Sequence, residues 1–304
     1  MDRIQQDRPE RIPIAVQPWL RLSFFTVIVI TIAILVINIS LASEFINRLI
    51  FPVCQQPQSL PAYNQPEEYW LETQDGVSIR IWYYPSKNGA AILTFGGLTG
   101  SLGDKIPPVQ FLLPEGYGIL QVDTRACAIP PAPVTLGADE LYEAESALHF
   151  LLDRPEVNPN RIGAMGFSMG GATAIRLAAR HTEVNALVRD GGYSNLGTLL
   201  TPPGKVSPLQ KLFQSTVYLY FRWRTGVDPW SISPIDNLPE ISPRPVFLIY
   251  GEGELGPGLE QFESPGESKE LWIVPGGAHG QNHIAQPGEY QFRVLNFFEK
   301  ALLK

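Results

Sequence analysis

The first strong pattern along the chain is a run of apolar residues near its N-terminus. No charged residue lies between Arg21 and Glu44, so that residues 22–43 form an uncharged stretch of 22 residues. As a helix this stretch would extend roughly 33 Å, which is close to the hydrocarbon thickness of a bilayer. It lacks the polar face that a core helix of this length normally shows. The pattern therefore predicts a transmembrane anchor over residues 22–43.

The basic residues around the anchor predict its orientation. Four arginines precede it and one follows soon after: Arg3, Arg8, Arg11, Arg21 and Arg48. Because basic flanks stay in the cytoplasm, segment 1–21 is expected there, with the remainder of the chain extracytoplasmic. The alternative is a secreted protein, since the pattern Ser40-Leu41-Ala42 would permit signal cleavage near Ala42.

Beyond the anchor, short apolar runs alternate with segments of helical periodicity. Residues 44–67 are rich in Pro and Gln and predict a linker. Glu68–Thr73 and Val77–Tyr84 alternate like strands and meet at Asp75-Gly76, which favours a hairpin. Further strands are predicted over Ala90–Phe95, Gly118–Val122, Arg161–Phe167, Ala186–Val188, Val246–Tyr250 and Leu271–Val274.

Helical periodicity covers three segments between and after these strands: Leu136–Leu152, Met169–Ala179 and about Tyr290–Leu303. Short, continuously apolar strands that alternate with helices are typical of a mostly parallel sheet with helices on both faces. Residues 68–304 are therefore expected to form one α/β domain.

Residues 193–243 interrupt this alternation and predict a small lid above the sheet. The segment holds several prolines and a helical stretch, Leu209–Arg224, that is studded with aromatic residues. These rings could form an apolar acyl pocket or dip into a bilayer interface. The alternative is that the lid helix buries them against the core.

Composition narrows the function classes. The 304 residues include 23 basic and 30 acidic ones, for a net charge of −7. This balance argues against a nucleic-acid binder, which needs a basic surface to neutralise phosphates. Cys54 and Cys127 are the two cysteines, so a disulfide scaffold and a Cys-rich zinc site are excluded, and pairing of the two is left open.

Residues 166–170, Gly-Phe-Ser-Met-Gly, carry the chemistry that the sequence suggests. A G-x-S-x-G string alone is weak, but here a predicted strand runs directly into a predicted helix with Ser168 at the corner. Such a turn raises the Ser168 hydroxyl above the sheet as a candidate nucleophile. It also places the Met169 N–H at a helix N-terminus, where it can hold an oxyanion.

With this motif, residues from about 68 to 304 resemble the alpha/beta-hydrolase fold, particularly its serine esterase and dipeptidyl-peptidase-like branches. The stretch 154–163 (Arg-Pro-Glu-Val-Asn-Pro-Asn-Arg-Ile-Gly) and the Ser233-Pro234-Ile235 to Pro245 region are similar to that group. The resemblance implies a chain order of serine, acid and histidine, with the last two after late strands.

The positions that match this order are Glu254 and His279. His279 lies in a glycine-rich loop after the strand 271–274, where the family places its base; His283 is the alternative. The family's acid follows the strand 246–250, which points to Glu254, with Glu252 as runner-up. Glutamate stands where aspartate is commoner. His279 and His283 have the H-x-x-x-H spacing of a zinc pair, but no third ligand or neighbouring glutamate completes such a site. No metal or organic cofactor is expected.

The resemblance also implies a second oxyanion donor from the loop after the strand 90–95. Family members often carry His-Gly there, whereas this chain has Phe95-Gly96-Gly97-Leu98, which makes the Leu98 N–H the candidate. Asp123 and Arg125 match a family turn and are expected to pair with each other.

These expectations combine into a membrane-anchored serine hydrolase that cleaves an ester or related acyl bond of a small or lipid-like substrate. The same machinery would serve a serine aminopeptidase or an acyltransferase. A rival of another class is a binding module that retains the hydrolase scaffold without its activity.

Overall fold

The computed structural model describes residues 18–54, 66–98 and 108–304, with side chains from residue 22 onward. Most of the predicted segment 1–21, and the predicted linker from 55 to 65, lie outside the described residues.

The helices are α1 (Pro18–Ile50), α2 (Glu140–Leu152), α3 (Met169–Arg180), α4 (Leu196–Leu200), α5 (Pro208–Thr225), α6 (Pro234–Ile241), α7 (Leu255–Glu263), α8 (Asn282–Ala285) and α9 (Pro287–Phe298). The strands are β1 (Glu67–Glu72), β2 (Ser78–Tyr84), β3 (Ala91–Phe95), β4 (Gly118–Val122), β5 (Ile162–Phe167), β6 (Val184–Asp190), β7 (Val246–Gly251) and β8 (Lys269–Val274).

The strands of the described residues form one eight-stranded sheet in the order β1-β2-β4-β3-β5-β6-β7-β8. The β1–β2 hairpin and the β2–β4 pair are antiparallel, and every pair from β4 to β8 is parallel. The predicted mostly parallel sheet with an antiparallel edge is thus confirmed. Because parallel strands end at the same edge, the loops after β3, β5, β6, β7 and β8 meet there.

Helices cover both faces of the sheet, as predicted. On one face α2, α3 and α6 pack around a core that includes Leu148, Ile175 and Leu238. On the other face α9 packs on the sheet through Val294 and Phe298. These two layers bury the central strands on both sides, which is why those strands are apolar without alternation.

The helix α1 has two parts. It is the one helix in the described ranges that is long and apolar enough to cross a membrane, a property that a signal sequence near the N-terminus would share. From residue 38 onward one face is buried at intervals of four, through Asn38, Ala42, Ile46 and Ile50. This face packs on the lid helix α5. The helix therefore continues to Ile50, past the predicted boundary at residue 43.

The predicted lid, 193–243, also divides into two parts. α4 and α5 pack with the end of α1 in a cluster next to Met169. The later helix α6 belongs to the main core, where Leu238 and Ile241 pack with α3. The aromatic residues of the segment are split accordingly, since Phe221 is fully buried whereas Trp223 is exposed.

A disulfide joins the end of α1 to the domain. Cys54 and Cys127 are bonded, with 5.2 Å between their Cα atoms. Nearby, the Val134 N–H donates a hydrogen bond to the Ile50 carbonyl, at 2.8 Å. The chain after α1 therefore folds back onto the loop that follows β4, and α1 is held against the α/β domain at its last turn.

Candidate active site

Ser168 occupies the sharp turn between β5 and α3. Its φ of 53° and ψ of −114° are unusual for a residue with a side chain and store local strain. Two flanking glycines permit the turn: a Cβ on Gly166 would lie 2.1 Å from the Gly170 carbonyl oxygen, and one on Gly170 would lie 2.2 Å from that of Phe95. Any larger residue at either position would force the turn open.

The predicted nucleophile, base and acid are brought together at this edge. His279 Nε2 lies 3.0 Å from Ser168 Oγ, and His279 Nδ1 lies 2.8 Å from Glu254 Oε1. The imidazole also packs against the Phe167 ring, with 4.8 Å between centroids. With a proton on Nδ1, His279 donates to Glu254 and leaves Nε2 free to accept from the Ser168 hydroxyl.

The two candidate acids make different contacts. Glu254 follows β7 and is mostly buried, and its Oε1 also accepts a hydrogen bond from the Gly192 N–H at 3.1 Å. Glu252 is exposed and accepts from the Gly276 N–H instead. The longer glutamate side chain is accommodated because Gly191 has no side chain: a Cβ there would lie 2.9 Å from Glu254 Oε2.

The contacts between Glu254 and His279 favour an ionised Glu254 and a more basic His279 imidazole. Burial on its own raises the pKa of Glu254, but the hydrogen bond and charge of His279, with the Gly192 N–H, outweigh it, and the pKa lies below 4.5. The hydrogen bond to Glu254 is the largest influence on His279 and raises its pKa above 6.5, against the effect of burial.

This raised pKa predicts the acid limb of a pH–rate profile. His279 must be neutral to accept a proton, so kcat/KM is expected to rise with pH through a midpoint above 6.5. In Glu254→Gln the charge that raises the pKa is lost, and the midpoint of the residual activity should move to lower pH. Initial rates from pH 5 to 9 measure the midpoint in the parent and in Glu254→Gln. The same midpoint in both would contradict the assignment of Glu254 as the partner of His279.

The two predicted oxyanion donors border the same space as Ser168. Leu98 and Met169 line the same cavity as Ser168, with a volume of about 270 Å³. The segment 95–98 packs closely on the turn between β5 and α3, since a Cβ on Gly97 would lie 3.7 Å from the Ser168 Cβ. Residues 99–107, the rest of that loop, are outside the described ranges.

A buried carboxylate behind the site was given no catalytic role in the sequence analysis. Asp190, at the end of β6, accepts hydrogen bonds from Asn282 Nδ2 at 2.7 Å and from the Tyr290 hydroxyl at 2.8 Å. Its carbonyl accepts the Ser168 N–H. Burial raises its pKa to about 6, although both side-chain hydrogen bonds lower it. Asp190 thus links the serine turn to α8 and α9, the helices that follow the loop carrying His279.

A second buried residue behind the site, which the sequence did not indicate, is Arg189. Its guanidinium is fully buried and donates to the carbonyls of Gly191 and Tyr193. It therefore shapes the segment whose Gly192 N–H holds Glu254, and its charge lowers the pKa of both Glu254 and His279. An arginine inside a strand gives no sequence signal for this role, because only the fold shows that it is buried.

His283, the alternative base, and His181 contact other residues. His283 packs beside Tyr290, at 6.0 Å between rings, and burial lowers its pKa. His181 Nε2 lies 3.1 Å from Glu145 Oε1, away from the serine. Within the described ranges, no group of three or more His, Cys, Asp or Glu side chains is arranged to hold a metal ion.

The site is open to a ligand. A cavity of about 450 Å³ is lined by Ser168, Glu254 and His279 together with Asn195 and Glu260. The hydrogen-bonded chain therefore lies in the wall of a space large enough for a small organic molecule, with apolar and polar sides.

Comparisons with known proteins agree with this architecture. Residues 142–200 match the family described as BAAT / Acyl-CoA thioester hydrolase C terminal. The chain is 26% identical over 259 residues to the alpha/beta hydrolase domain-containing protein WAV2 of Arabidopsis thaliana, covering 77% of this chain and 79% of that protein.

Two solved structures share the fold. The Pyrococcus furiosus esterase Pf2001 matches with a TM-score of 0.66 and 23% identity, over 83% of this chain and 100% of that one. The Pyrococcus horikoshii acylaminoacyl peptidase matches with a TM-score of 0.60 and 18% identity, over 78% of this chain and 42% of that one. Strand order, the turn at Ser168 and these likenesses show that the chain has the alpha/beta-hydrolase fold.

Proposed function

We propose that the protein is a serine hydrolase that cleaves an ester or a related acyl bond. The observation that carries the proposal is the continuous chain Ser168 Oγ–His279 Nε2 (3.0 Å) and His279 Nδ1–Glu254 Oε1 (2.8 Å) in a cavity wall. A serine hydroxyl is a weak nucleophile until a base can remove its proton, and this arrangement supplies that base.

The proposed reaction has two stages. Ser168 Oγ attacks the carbonyl carbon while His279 Nε2 takes the hydroxyl proton, and the imidazolium is stabilised by ionised Glu254. His279 then gives the proton to the leaving alcohol, which departs and leaves an acyl-enzyme. Water, deprotonated by His279, attacks the acyl group and releases the acid, and the proton returns to Ser168.

The backbone N–H groups of Met169 and Leu98 are proposed to hold the oxyanion that forms at each stage. Met169 begins α3, so its N–H is one of the first-turn donors that no earlier carbonyl of the helix can satisfy. Both residues border Ser168 in the 270 Å³ cavity. Donors fixed before the reaction stabilise the developing charge without reorganisation.

Ester and peptide substrates are separated by one comparison of rates. The full chain in bilayer discs is given p-nitrophenyl acetate and butyrate and, in parallel, aminoacyl p-nitroanilides, with His279→Ala as the inactive control. Ester cleavage that His279→Ala loses supports the proposal. Cleavage of the anilides with a free amino terminus alone would instead indicate an aminopeptidase. No turnover of either, by folded protein, would indicate the binding module.

We further propose that α1 anchors the protein in a membrane, with its N-terminus in the cytoplasm and the domain 68–304 extracytoplasmic. The arginines before residue 22 and the apolar length of α1 support this orientation. The Cys54–Cys127 bond supports it independently, because disulfides persist in oxidising compartments and are rare in the cytosol.

The disulfide gives a direct test of the compartment, because the chain has two cysteines in all. In membranes from cells expressing the full chain, denatured protein is expected to take up no maleimide–polyethylene glycol until a reductant is added, and then two molecules. A Cys54→Ser variant should take up one without reductant. Two additions to the unreduced parent, with thiol exchange blocked during lysis, would contradict an oxidising location.

A further inference from the structure

Between α1 and α5 lies an apolar groove that the proposed reaction leaves unused. Its volume is about 680 Å³. Its walls include Ile37, Leu41 and Phe45 from α1, and Leu209, Phe213 and Val217 from α5. Among the described residues, no charged side chain lines it. A space of this size and lining fits a hydrocarbon chain rather than a polar substrate.

The groove adjoins the spaces beside Ser168. Leu199 forms part of the wall of the groove, of the 450 Å³ cavity and of the 270 Å³ cavity. Phe45 and Leu200 line both the groove and the smaller cavity. Ser168 lines the two cavities but not the groove. The three spaces are therefore neighbours with shared wall residues, and together they extend from α1 to the serine hydroxyl.

The far end of the groove lies inside the uncharged stretch of α1. Ile34 lines that end and precedes Ser43 by nine residues, or roughly 14 Å along the helix. If residues 22–43 span a bilayer, Ile34 lies well inside the hydrocarbon. The groove then opens to lipid chains, and its apolar walls need no protein partner to cover them.

We propose that this groove binds the acyl chain of a long-chain ester that enters sideways from the bilayer. The inference rests on the proposed hydrolase function and names its substrate class. The ester carbonyl lies at Ser168, the fatty-acyl chain lies between α1 and α5, and the alcohol occupies the 450 Å³ cavity, where Asn195 and Glu260 supply polar lining. One water is consumed, and the products are the alcohol, which leaves first, and the fatty acid.

The test is a series of p-nitrophenyl esters from acetate to dodecanoate. The full chain is reconstituted in discs of diether phosphocholine, a lipid that has no carboxylic ester to cleave. If the groove holds the chain, kcat/KM should rise with length by up to about fourfold for each methylene. The measured quantity is the ratio of kcat/KM for dodecanoate to that for acetate.

Two tryptophan substitutions narrow the groove from opposite walls. Leu41 on α1 and Leu209 on α5 are 58% and 59% exposed, so a larger side chain can be accommodated without disturbing the core. The matched controls are Ile39 on α1 and Leu219 on α5, which are 53% and 62% exposed and do not line the groove. Leu41→Trp and Leu209→Trp should lower the dodecanoate-to-acetate ratio at least tenfold, whereas Ile39→Trp and Leu219→Trp should retain it.

The outcomes separate this inference from the function on which it rests. A flat chain-length profile in a parent that hydrolyses acetate would overturn the groove and leave the hydrolase intact. Labelling of Ser168 shows which of Leu41→Trp and Leu209→Trp has folded. If a folded variant keeps the dodecanoate-to-acetate ratio of the parent, the groove proposal is overturned as well. Absence of hydrolysis for every ester, acetate included, would instead overturn the hydrolase itself.

Discussion

Ser168→Ala is expected to lower kcat for ester hydrolysis by about 10⁶-fold, the order of loss seen when a serine protease loses its nucleophile. The substitution removes the one hydroxyl that His279 Nε2 contacts, at 3.0 Å, and leaves the cavity walls in place. Residual turnover would come from binding and oxyanion stabilisation alone. Steady-state rates with p-nitrophenyl butyrate measure the loss.

A second serine in the same cavity is the matched control. Ser194 lines the 450 Å³ space, and its hydroxyl lies 3.4 Å from Gln261 Nε2, not beside the imidazole. Ser194→Ala should keep most of the parent rate and fold as the parent does. A comparable loss of kcat in both variants, or no loss in Ser168→Ala, would show that Ser168 is not the nucleophile.

Glu254→Gln is expected to lower kcat by about 10⁴-fold, because a neutral amide no longer selects the Nδ1–H tautomer or stabilises the imidazolium. The affected contacts are the 2.8 Å hydrogen bond to His279 and the 3.1 Å hydrogen bond from the Gly192 N–H. Glutamine retains the length of the side chain, so that packing beside Gly191 is preserved. The KM should change far less than kcat, since the substrate does not need this carboxylate in order to bind.

Glu252→Gln is the control for this loss. Glu252 lies two residues earlier on the same turn but is exposed, and its hydrogen bond is to the Gly276 N–H. We expect its kcat to stay near that of the parent. A large loss in Glu252→Gln together with a small one in Glu254→Gln would reverse the choice of acid.

Much of the fold could be predicted because each central strand carries its signal locally. The strand Gly118–Val122 has the predicted bounds, and β7 differs by one residue. Strands buried on both faces are apolar throughout, and the turns between them contain Gly and Pro. The positions of Ser168, Glu254 and His279 near one another also follow from topology, since each comes after a parallel strand that ends at the same edge.

The contacts that could not be predicted join segments far apart in the sequence. The expected Asp123–Arg125 ion pair is wrong: Asp123 pairs with Arg80 at 3.0 Å, and Arg125 pairs most closely with Glu143 at 2.6 Å. Asn282, which donates to Asp190, gives no signal of its own. In each case a charged or polar group has several possible partners, and only the folded chain selects one.

The junction of α1 with the domain is the second unpredicted feature. The apolar run predicts an anchor that ends in a linker, but residues 42, 46 and 50 bury one face against the lid. The Cys54–Cys127 bond then fixes the chain after α1 to the loop after β4. The buried residues recur every four positions over only three helical turns. A pattern this short does not distinguish, in the sequence, a helix end that packs on the domain from one that lies in a membrane.

The central claim, that Ser168 is an activated nucleophile, is tested most directly by covalent labelling with a fluorophosphonate probe. The full chain in bilayer discs should be labelled, and the modified peptide should contain Ser168. Ser168→Ala should remain unlabelled and His279→Ala nearly so, since the probe needs the base as a substrate does. A folded parent that stays unlabelled beside a reactive control hydrolase, or a label that persists in Ser168→Ala, would contradict the account.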